Sequence, residues 1–208
     1  MSETEVTVFV VDDDLSFRRS VERLIGLAGF KVRSFGSARE FLAAETPDVP
    51  SCLVSDVRMP SLSGLDLQRE LTQMGRHIPI IFITGHGDIP MSVRAIKAGA
   101  VEFLTKPFGE RELLEAIEQA LEGDRVGRLD REKLVDLRKR YESLTPRERQ
   151  VMAHVVYGML NKQIAAELNT VEKTIKFHRA HIMEKMAAGS LAELVRMAGD
   201  LHLPLPRT

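Results

Sequence analysis

The chain has 208 residues, of which 44% are hydrophobic and 28% charged, with a formal net charge of −1 at pH 7. This composition indicates a globular protein, and the length slightly exceeds that of a typical single domain. The single cysteine, Cys52, excludes an intramolecular disulfide, and its apolar surroundings predict a buried side chain. Since no long apolar run is present, we expect a cytoplasmic protein with no membrane partner.

The charge is unevenly distributed along the chain. Residues 1–122 carry 13 basic and 19 acidic side chains, residues 123–142 carry 7 and 5, and residues 143–208 carry 9 and 6. An acidic segment is suited to metal binding and a basic one to an anionic partner, although a solvated helical surface can show an equally small basic excess. We predict an α/β domain over residues 1–122, a helical linker over residues 123–142 and an all-helical domain over residues 143–208.

Runs rich in Val, Ile and Phe alternate with amphipathic stretches in the first segment, the pattern of a parallel sheet covered by helices. The predicted strands are residues 6–11, 31–35, 51–55, 78–83 and 101–104. We predict a flavodoxin-like, doubly wound, five-stranded sheet of order 2-1-3-4-5, in which the order reverses between the first and third strands. Side chains at the carboxyl ends of those two strands would meet in one crevice.

Three carboxylates are expected in that crevice, namely Asp12 and Asp13 after the first strand and Asp56 after the third. Because like charges repel, the group must take up protons or share a cation. Mg2+, or Mn2+ with similar ligand preferences, suits oxygen ligands and phosphate chemistry. We assign Asp13 and Asp56 as direct ligands, Asp12 as a ligand through water, and the backbone carbonyl of Arg58 as the remaining protein oxygen.

Two further strand ends carry Thr84 and Lys106. With a cation neutralising the incoming phosphate, Asp56 can act as nucleophile and form an acyl phosphate. The Thr84 hydroxyl and the Lys106 ammonium would then bind phosphoryl oxygens. The Lys106-Pro107 bond is a candidate for the cis form.

Each of these residues, taken alone, has an ordinary structural explanation. Acidic residues after strands commonly cap helices, as we predict for Asp14, and Thr-Gly or Lys-Pro sequences commonly mark turns. Their joint occurrence at four strand ends on one rim favours a phosphoryl site.

Residues 6–120 resemble a response-regulator receiver domain, and the FixJ branch in particular. The resemblance rests on four motifs: Val10-Val11-Asp12-Asp13-Asp14, Val54-Ser55-Asp56-Val57-Arg58-Met59-Pro60, Thr84-Gly85-His86-Gly87-Asp88 and Lys106-Pro107-Phe108. It implies that Asp56 receives phosphate from a histidine kinase. It also implies an aromatic switch at Phe103, for which core packing is the alternative, and a phosphorylation-induced homodimer with Val93 and Lys97 at its interface.

In the linker, Leu134, Leu137, Tyr141 and Leu144 recur at helical spacing. Such a stripe can pack on its own chain, which we favour, or pair with a partner's stripe.

Four short helices are predicted at residues 146–157, 161–167, 171–186 and 190–201. Turns at Gly158 and Asn169 suit a helix-turn-helix, whose second helix lies in the major groove of DNA. Ile175, Ile182 and Met186 form its apolar stripe. The opposite face is expected to bind DNA through Lys173, Lys176, Phe177, Ala180 and flanking residues; a solvated bundle helix is the alternative.

Residues 143–201 resemble a LuxR-type DNA-binding domain through Leu144-Thr145-Pro146-Arg147-Glu148-Arg149-Gln150-Val151, Gly158, Asn161-Lys162-Gln163-Ile164-Ala165 and Thr174-Ile175-Lys176-Phe177-His178-Arg179. The resemblance implies a transcription regulator that binds an inverted repeat in promoter DNA as a dimer. By position, Lys176, Phe177 and Ala180 would face bases. Phosphate contacts are expected from Thr174, Arg179 and Lys162.

The sequence departs from that family at the turn and on the recognition helix. Val171 stands where a Ser or Thr usually caps the helix. We therefore expect the domain to be less stable by about 1 kcal/mol, unless Thr170 caps the helix instead. Phe177 replaces the usual Val, which leaves the preferred DNA sequence open, although an aromatic ring can still contact a thymine methyl group.

Two other classes of protein are alternatives. A phosphatase using Asp56 as nucleophile would need an acid two residues later, where Arg58 stands. A signalling adaptor whose helical domain binds protein would lack salt-dependent DNA binding.

Overall fold

The computed structural model describes residues 6–85 and 89–203 and divides into two compact units, the first ending at Arg128 and the second beginning at Leu129. Residues 86–88 of the Thr84-to-Asp88 motif lie outside the described residues. The strands are β1 (Thr7–Val11), β2 (Lys31–Phe35), β3 (Ser51–Asp56), β4 (Ile80–Thr84) and β5 (Glu102–Thr105). The helices that alternate with them are α1 (Leu15–Leu27), α2 (Ala38–Ala43), α3 (Gly64–Gln73), α4 (Ile89–Lys97) and α5 (Glu110–Glu142).

The sheet is parallel throughout, with the order β2-β1-β3-β4-β5, which confirms the predicted topology. The carboxyl ends of β1 and β3 therefore flank the point where the order reverses. The fourth strand begins at Ile80 rather than at residue 78. The reason is Pro79, which has no N–H to donate to a neighbouring strand and only accepts, at its carbonyl, from Leu53.

Alternate residues of β1 enter two separate cores, one on each face of the sheet. Val8 and Val10 face a cluster shared with α1 and α5, whereas Phe9 and Val11 face a cluster shared with α2 and α3. A strand buried on both faces explains why this run is almost entirely apolar.

Helix α5 runs without a break from the first unit into the second. The predicted linker is helical, but the first unit extends beyond residue 122. The buried Asp124 carboxylate accepts hydrogen bonds from the Ser51 backbone N–H at 2.9 Å and from Arg128 Nε at 2.7 Å, and Arg128 also pairs with Asp48. These contacts hold the helix on the first unit as far as Arg128.

The second unit contains α6 (Pro146–Val156), α7 (Asn161–Glu167), α8 (Glu172–Met186) and α9 (Leu191–Asp200), close to the predicted bounds. Ile175, Ile182 and Met186 are buried in its core, as predicted for the apolar stripe of α8. Leu137 and Tyr141 pack against the same core, so these members of the linker stripe contact their own chain.

The turn before α8 depends on Asn169, which adopts the left-handed conformation with φ 48°. Asparagine tolerates this region better than most residues. Val171 occupies the N-cap position without a side-chain hydrogen bond. The suggestion that Thr170 caps instead was wrong, because the helix begins one residue too late for it to reach the cap position. Helix α8 therefore begins without a side-chain cap.

Candidate functional site

Two aspartates and one lysine meet at the crevice between β1 and β3. Asp12 and Asp56 are 3% and 8% exposed. Lys106 Nζ lies 2.9 Å from Asp12 Oδ2 and 3.0 Å from Asp56 Oδ1, so it donates to both carboxylates. The carboxyl ends of β1, β3 and β5 therefore converge, as predicted. The side chains of Asp12, Asp56 and Lys106 form a partly buried ion triad there.

Backbone N–H groups fix the other oxygen of each carboxylate. The N–H of Asp14 donates to Asp12 Oδ1 at 2.8 Å, and the N–H of Arg58 donates to Asp56 Oδ2 at 2.6 Å. The Asp14 side chain caps α1, as predicted, by accepting from the N–H groups of Ser16 and Phe17. Both carboxylates are consequently oriented by the chain segments that follow their strands.

Aromatic side chains border Lys106 on its outer side. Its ammonium lies 3.5 Å from the centroid of the Phe17 ring, a favourable cation–π distance. Phe17 in turn meets Phe108 edge to face, with centroids 6.1 Å apart. The Lys106-Pro107 peptide bond is cis, and the Lys106 N–H donates to the Thr84 carbonyl at 2.8 Å.

Burial and the hydrogen bonds of the triad shift the pKa values of Asp12 and Lys106. Burial raises the pKa of Asp12 above its ordinary value, and the hydrogen bonds from Lys106 and the Asp14 backbone offset this only in part. Burial acts to lower the pKa of Lys106, but the hydrogen bonds and charges of Asp12 and Asp56 outweigh it and raise that pKa. The raised pKa keeps Lys106 protonated at neutral pH. Burial makes the charged form of Asp12 unfavourable, and a metal ion would stabilise that form.

The donor set suits Mg2+ by its chemistry, since it consists of carboxylate oxygens. In residues 6–85 and 89–203, however, no three His, Cys, Asp or Glu side chains are grouped so that they could hold a metal ion. Asp13 is exposed, and Lys106 is bonded to both Asp12 and Asp56. Metal binding would require Asp13 to turn towards the pair.

The remaining predicted receiver residues lie on β4, α4 and β5. Thr84 ends β4 and is buried. Phe103 is partly buried beside Phe82, at 6.5 Å between ring centroids, and belongs to the edge of one core. Val93 and Lys97 are exposed on α4.

The predicted DNA-contacting residues lie on α8, apart from Lys162 on α7. Lys162, Lys173, Lys176, Phe177 and Ala180 are exposed, and Thr174 and Arg179 are partly exposed. Arg179 donates to the Asn161 side-chain oxygen at 2.9 Å, and Lys176 pairs with Glu172 at 3.4 Å. The helix thus has one buried apolar face and one exposed face rich in donors.

Two family models match the chain. Residues 8–118 match the response regulator receiver domain, and residues 142–198 match the bacterial regulatory proteins of the luxR family. The chain belongs to the response-regulator family.

Relatives of this response regulator share both domains along nearly their whole length. Nodulation protein W of Bradyrhizobium diazoefficiens is 54% identical over 99% of this chain and 90% of its own. Transcriptional regulatory protein FixJ of Rhizobium meliloti is 46% identical over 94% of this chain and 96% of its own. The solved structure of response regulator StyR has a TM-score of 0.79 at 50% identity, covering 94% of this chain and 98% of its own.

The response regulator is accordingly a transcription regulator with a receiver and a LuxR-type DNA-binding domain, and its family is not one of enzymes. The phosphatase and adaptor alternatives are set aside on these matches. A family of this kind implies a kinase and DNA as partners. In the described part of the regulator, no helix is long and apolar enough to cross a membrane.

Sequence reasoning missed two residues that support neighbouring side chains, Phe17 and Glu148. Phe17, which contacts the Lys106 ammonium, gave no signal beyond its place in the first turn of α1. Glu148 is 3% exposed and binds Thr145 and Lys185, the latter at 2.7 Å. The spacing Thr145-Pro-Arg-Glu148 is that of a capping box, which is present, and it could have identified Glu148.

Gly64 at the start of α3 gives a test of the packing around Asp56. A Cβ at this position would lie 2.4 Å from the Asp56 carbonyl oxygen and 2.9 Å from Phe82 Cε1. We expect Gly64→Ala to destabilise the receiver by about 1–3 kcal/mol, measured by urea unfolding with far-UV circular dichroism. Gly26→Ala in α1 is the matched control, because a Cβ there meets nothing within 4 Å; it should be neutral or stabilising by up to about 1 kcal/mol. Equal stabilities of the two variants would contradict the close packing.

Proposed function

We propose that Asp56 is the phosphoacceptor of this regulator and takes its phosphoryl group from a partner histidine kinase. The observation that carries the proposal is the pair of hydrogen bonds from Lys106 Nζ to Asp12 and Asp56 at nearly equal distances. An ammonium held there is in place to bind a phosphoryl oxygen on Asp56. The Arg58 N–H fixes the second Asp56 oxygen and so orients the nucleophile.

Asp13 and Asp56 would hold Mg2+ or Mn2+ directly, Asp12 through a water molecule, and the Arg58 carbonyl would complete the protein ligands. When bound, the ion neutralises the charge of the incoming phosphate. The excess of carboxylates over the single Lys106 ammonium and the raised pKa of Asp12 both favour an added cation.

The response to phosphorylation would begin at Thr84, whose hydroxyl would donate to the phosphoryl group. Phe103 lies on β5, the strand that pairs with the strand of Thr84, and is only partly buried, so its ring would turn inward as the switch. The exposed α4 surface, with Val93 and Lys97, would then form the interface of a homodimer. Two linked DNA-binding domains gain avidity for an inverted repeat, and the DNA target requires action in the cytoplasm.

The Asp56→Asn variant tests the proposal. With Mg2+ and acetyl phosphate, we expect wild-type protein to gain one phosphoryl group, to shift from monomer towards dimer in sedimentation, and to bind inverted-repeat DNA more tightly. The variant should show none of these changes, because an amide cannot form the acyl phosphate. If wild type and variant respond alike, Asp56 is not the acceptor.

The exposed Lys173 tests DNA binding by α8. As a phosphate contact it would add affinity for every DNA sequence, so Lys173→Ala should weaken binding uniformly and reduce the slope of log K against log salt by about 0.9 for each protomer bound, or about 1.8 for a dimer. Lys133→Ala is the control, since Lys133 is an exposed lysine on the linker helix that pairs with Asp130. Binding isotherms at several salt concentrations would measure both. An unchanged slope for Lys173→Ala would remove this residue from the interface.

A further inference from the structure

A large apolar ring stands on the exposed face of the recognition helix. Phe177 on α8 is 59% exposed, in the middle of the surface assigned to DNA. Ala180, one turn further on, contributes only a methyl group and is also exposed. The outer side of the ring is therefore open to a partner.

The inner side of the ring rests on a histidine. The centroids of Phe177 and His181 are 4.1 Å apart with an interplanar angle of 59°, a closer approach than the roughly 4.5–7 Å usual for aromatic pairs. His178, the other neighbouring histidine, is more distant, at 6.0 Å between centroids. Of these two contacts, the one with His181 is close enough to restrict the Phe177 ring.

His181 is itself supported by a fixed carboxylate on α6. Its Nδ1 lies 3.7 Å from Glu148 Oε1. The other oxygen, Glu148 Oε2, accepts from the Thr145 N–H at 2.8 Å and from Lys185 Nζ at 2.7 Å. A buried, multiply bonded carboxylate thus stands behind His181, and His181 stands behind the exposed ring.

We propose that His181 is a positioning residue that holds the Phe177 ring in one orientation, so that the ring reads a thymine methyl group in the major groove. His181 would touch no base. Its effect would be on specificity, because a ring fixed before binding loses less conformational freedom on contact and discriminates more sharply. This inference rests on the proposed binding of DNA by α8 and adds the residue that sets base preference.

The test uses the full-length protein with Mg2+ and acetyl phosphate and a duplex selected from a library of random inverted repeats. In the selected duplex, each thymidine is replaced in turn by deoxyuridine, whose base lacks only the methyl group of thymine. We define the methyl ratio as the Kd for the substituted duplex divided by the Kd for the unsubstituted duplex. For wild type we expect one pair of symmetry-related positions at which this ratio is about three to ten. His181→Ala and Phe177→Val should each reduce that ratio to near one, and the double variant should lower it no further.

Two controls separate positioning from loss of fold. His181→Phe keeps an aromatic side chain against Phe177 and should restore most of the ratio, whereas His178→Ala should leave it unchanged. Should His181→Ala fail to fold, His181→Gln, which keeps a polar side chain but no ring, takes its place and should likewise lose the discrimination. A full ratio in either His181→Ala or Phe177→Val, with binding retained, would overturn the inference. Absence of any DNA binding by wild type would refute the proposed function itself, which is a different result.

Discussion

Replacing Lys106 with methionine is expected to lower the receiver's free energy of unfolding by about 3 kcal/mol at pH 7. The substitution keeps most of the side-chain volume but leaves Asp12 and Asp56 without the ammonium that pairs them. Removing one partner of a buried ion pair costs roughly 3–5 kcal/mol, because the remaining charge is neither hydrated nor compensated. Proton uptake by Asp12 limits the loss to the lower part of that range.

The pH dependence of the stability difference between Lys106→Met and wild type tests whether the unpaired Asp12 charge causes the loss. Without Lys106, the pKa of Asp12 should rise further above its unfolded value of 3.8. A carboxyl whose folded pKa is raised stabilises the fold while it is protonated, and this contribution is lost as pH increases above 3.8 through the folded pKa. The difference between variant and wild type should therefore be large at pH 7 and should shrink as the pH falls towards 4.

Urea unfolding of the full chain followed by far-UV circular dichroism measures this loss. The chain has no tryptophan, and its two tyrosines, Tyr141 and Tyr157, both lie in the second unit. Tyrosine fluorescence therefore reports on that unit alone, and the urea midpoint that it gives should be the same for Lys106→Met and wild type. Added Mg2+ should stabilise Lys106→Met more than wild type, since a cation would replace the ammonium. Arg19→Met, which removes an exposed cation of α1, should change stability by less than about 0.5 kcal/mol. A Lys106→Met variant as stable as this control would contradict the argument.

The receiver could be predicted from sequence because its signals are local. The apolar run of β1 and the acidic residues that follow it lie together in the chain, and parallel strands bring such ends to one edge. Contacts that join distant segments gave no such signal. The stacking of Phe17 on Lys106 and the approach of Gly64 to the Asp56 carbonyl depend on how helices settle on the sheet.

The end of the first unit was harder to place for a similar reason. Helical periodicity continues through α5 and carries no mark of the point at which the helix leaves the sheet. Gly123, at which we predicted the linker to begin, lies inside α5. The residue that holds the helix is Asp124, whose partner Ser51 is 73 positions away. A pairing over that distance cannot be read from composition or spacing.

Replacing Glu148 with glutamine is expected to cost the second unit about 2–3 kcal/mol at pH 7. Burial raises the pKa of a carboxyl, but the hydrogen bonds from Lys185 and Thr145 dominate here and lower the pKa of Glu148 from 4.5 to about 2. One pKa unit corresponds to about 1.4 kcal/mol of preference for the charged form. Glutamine retains the shape and the Thr145 contact, yet it cannot pair with Lys185.

The acid limb of the stability curve gives the decisive comparison. A carboxyl whose folded pKa is depressed contributes stability that is complete above its unfolded pKa, here 4.5, and is lost as pH falls through that value towards 2. Between these limits, wild type should lose stability and Glu148→Gln should lose distinctly less, so that the two converge near pH 2. Tyrosine fluorescence during urea titration at each pH follows the second unit selectively. Glu184→Gln, at an exposed position on α8, should follow the wild-type curve. Parallel curves for wild type and Glu148→Gln would mean that the Glu148–Lys185 pair contributes no net stability, and that the support behind His181 comes from packing alone.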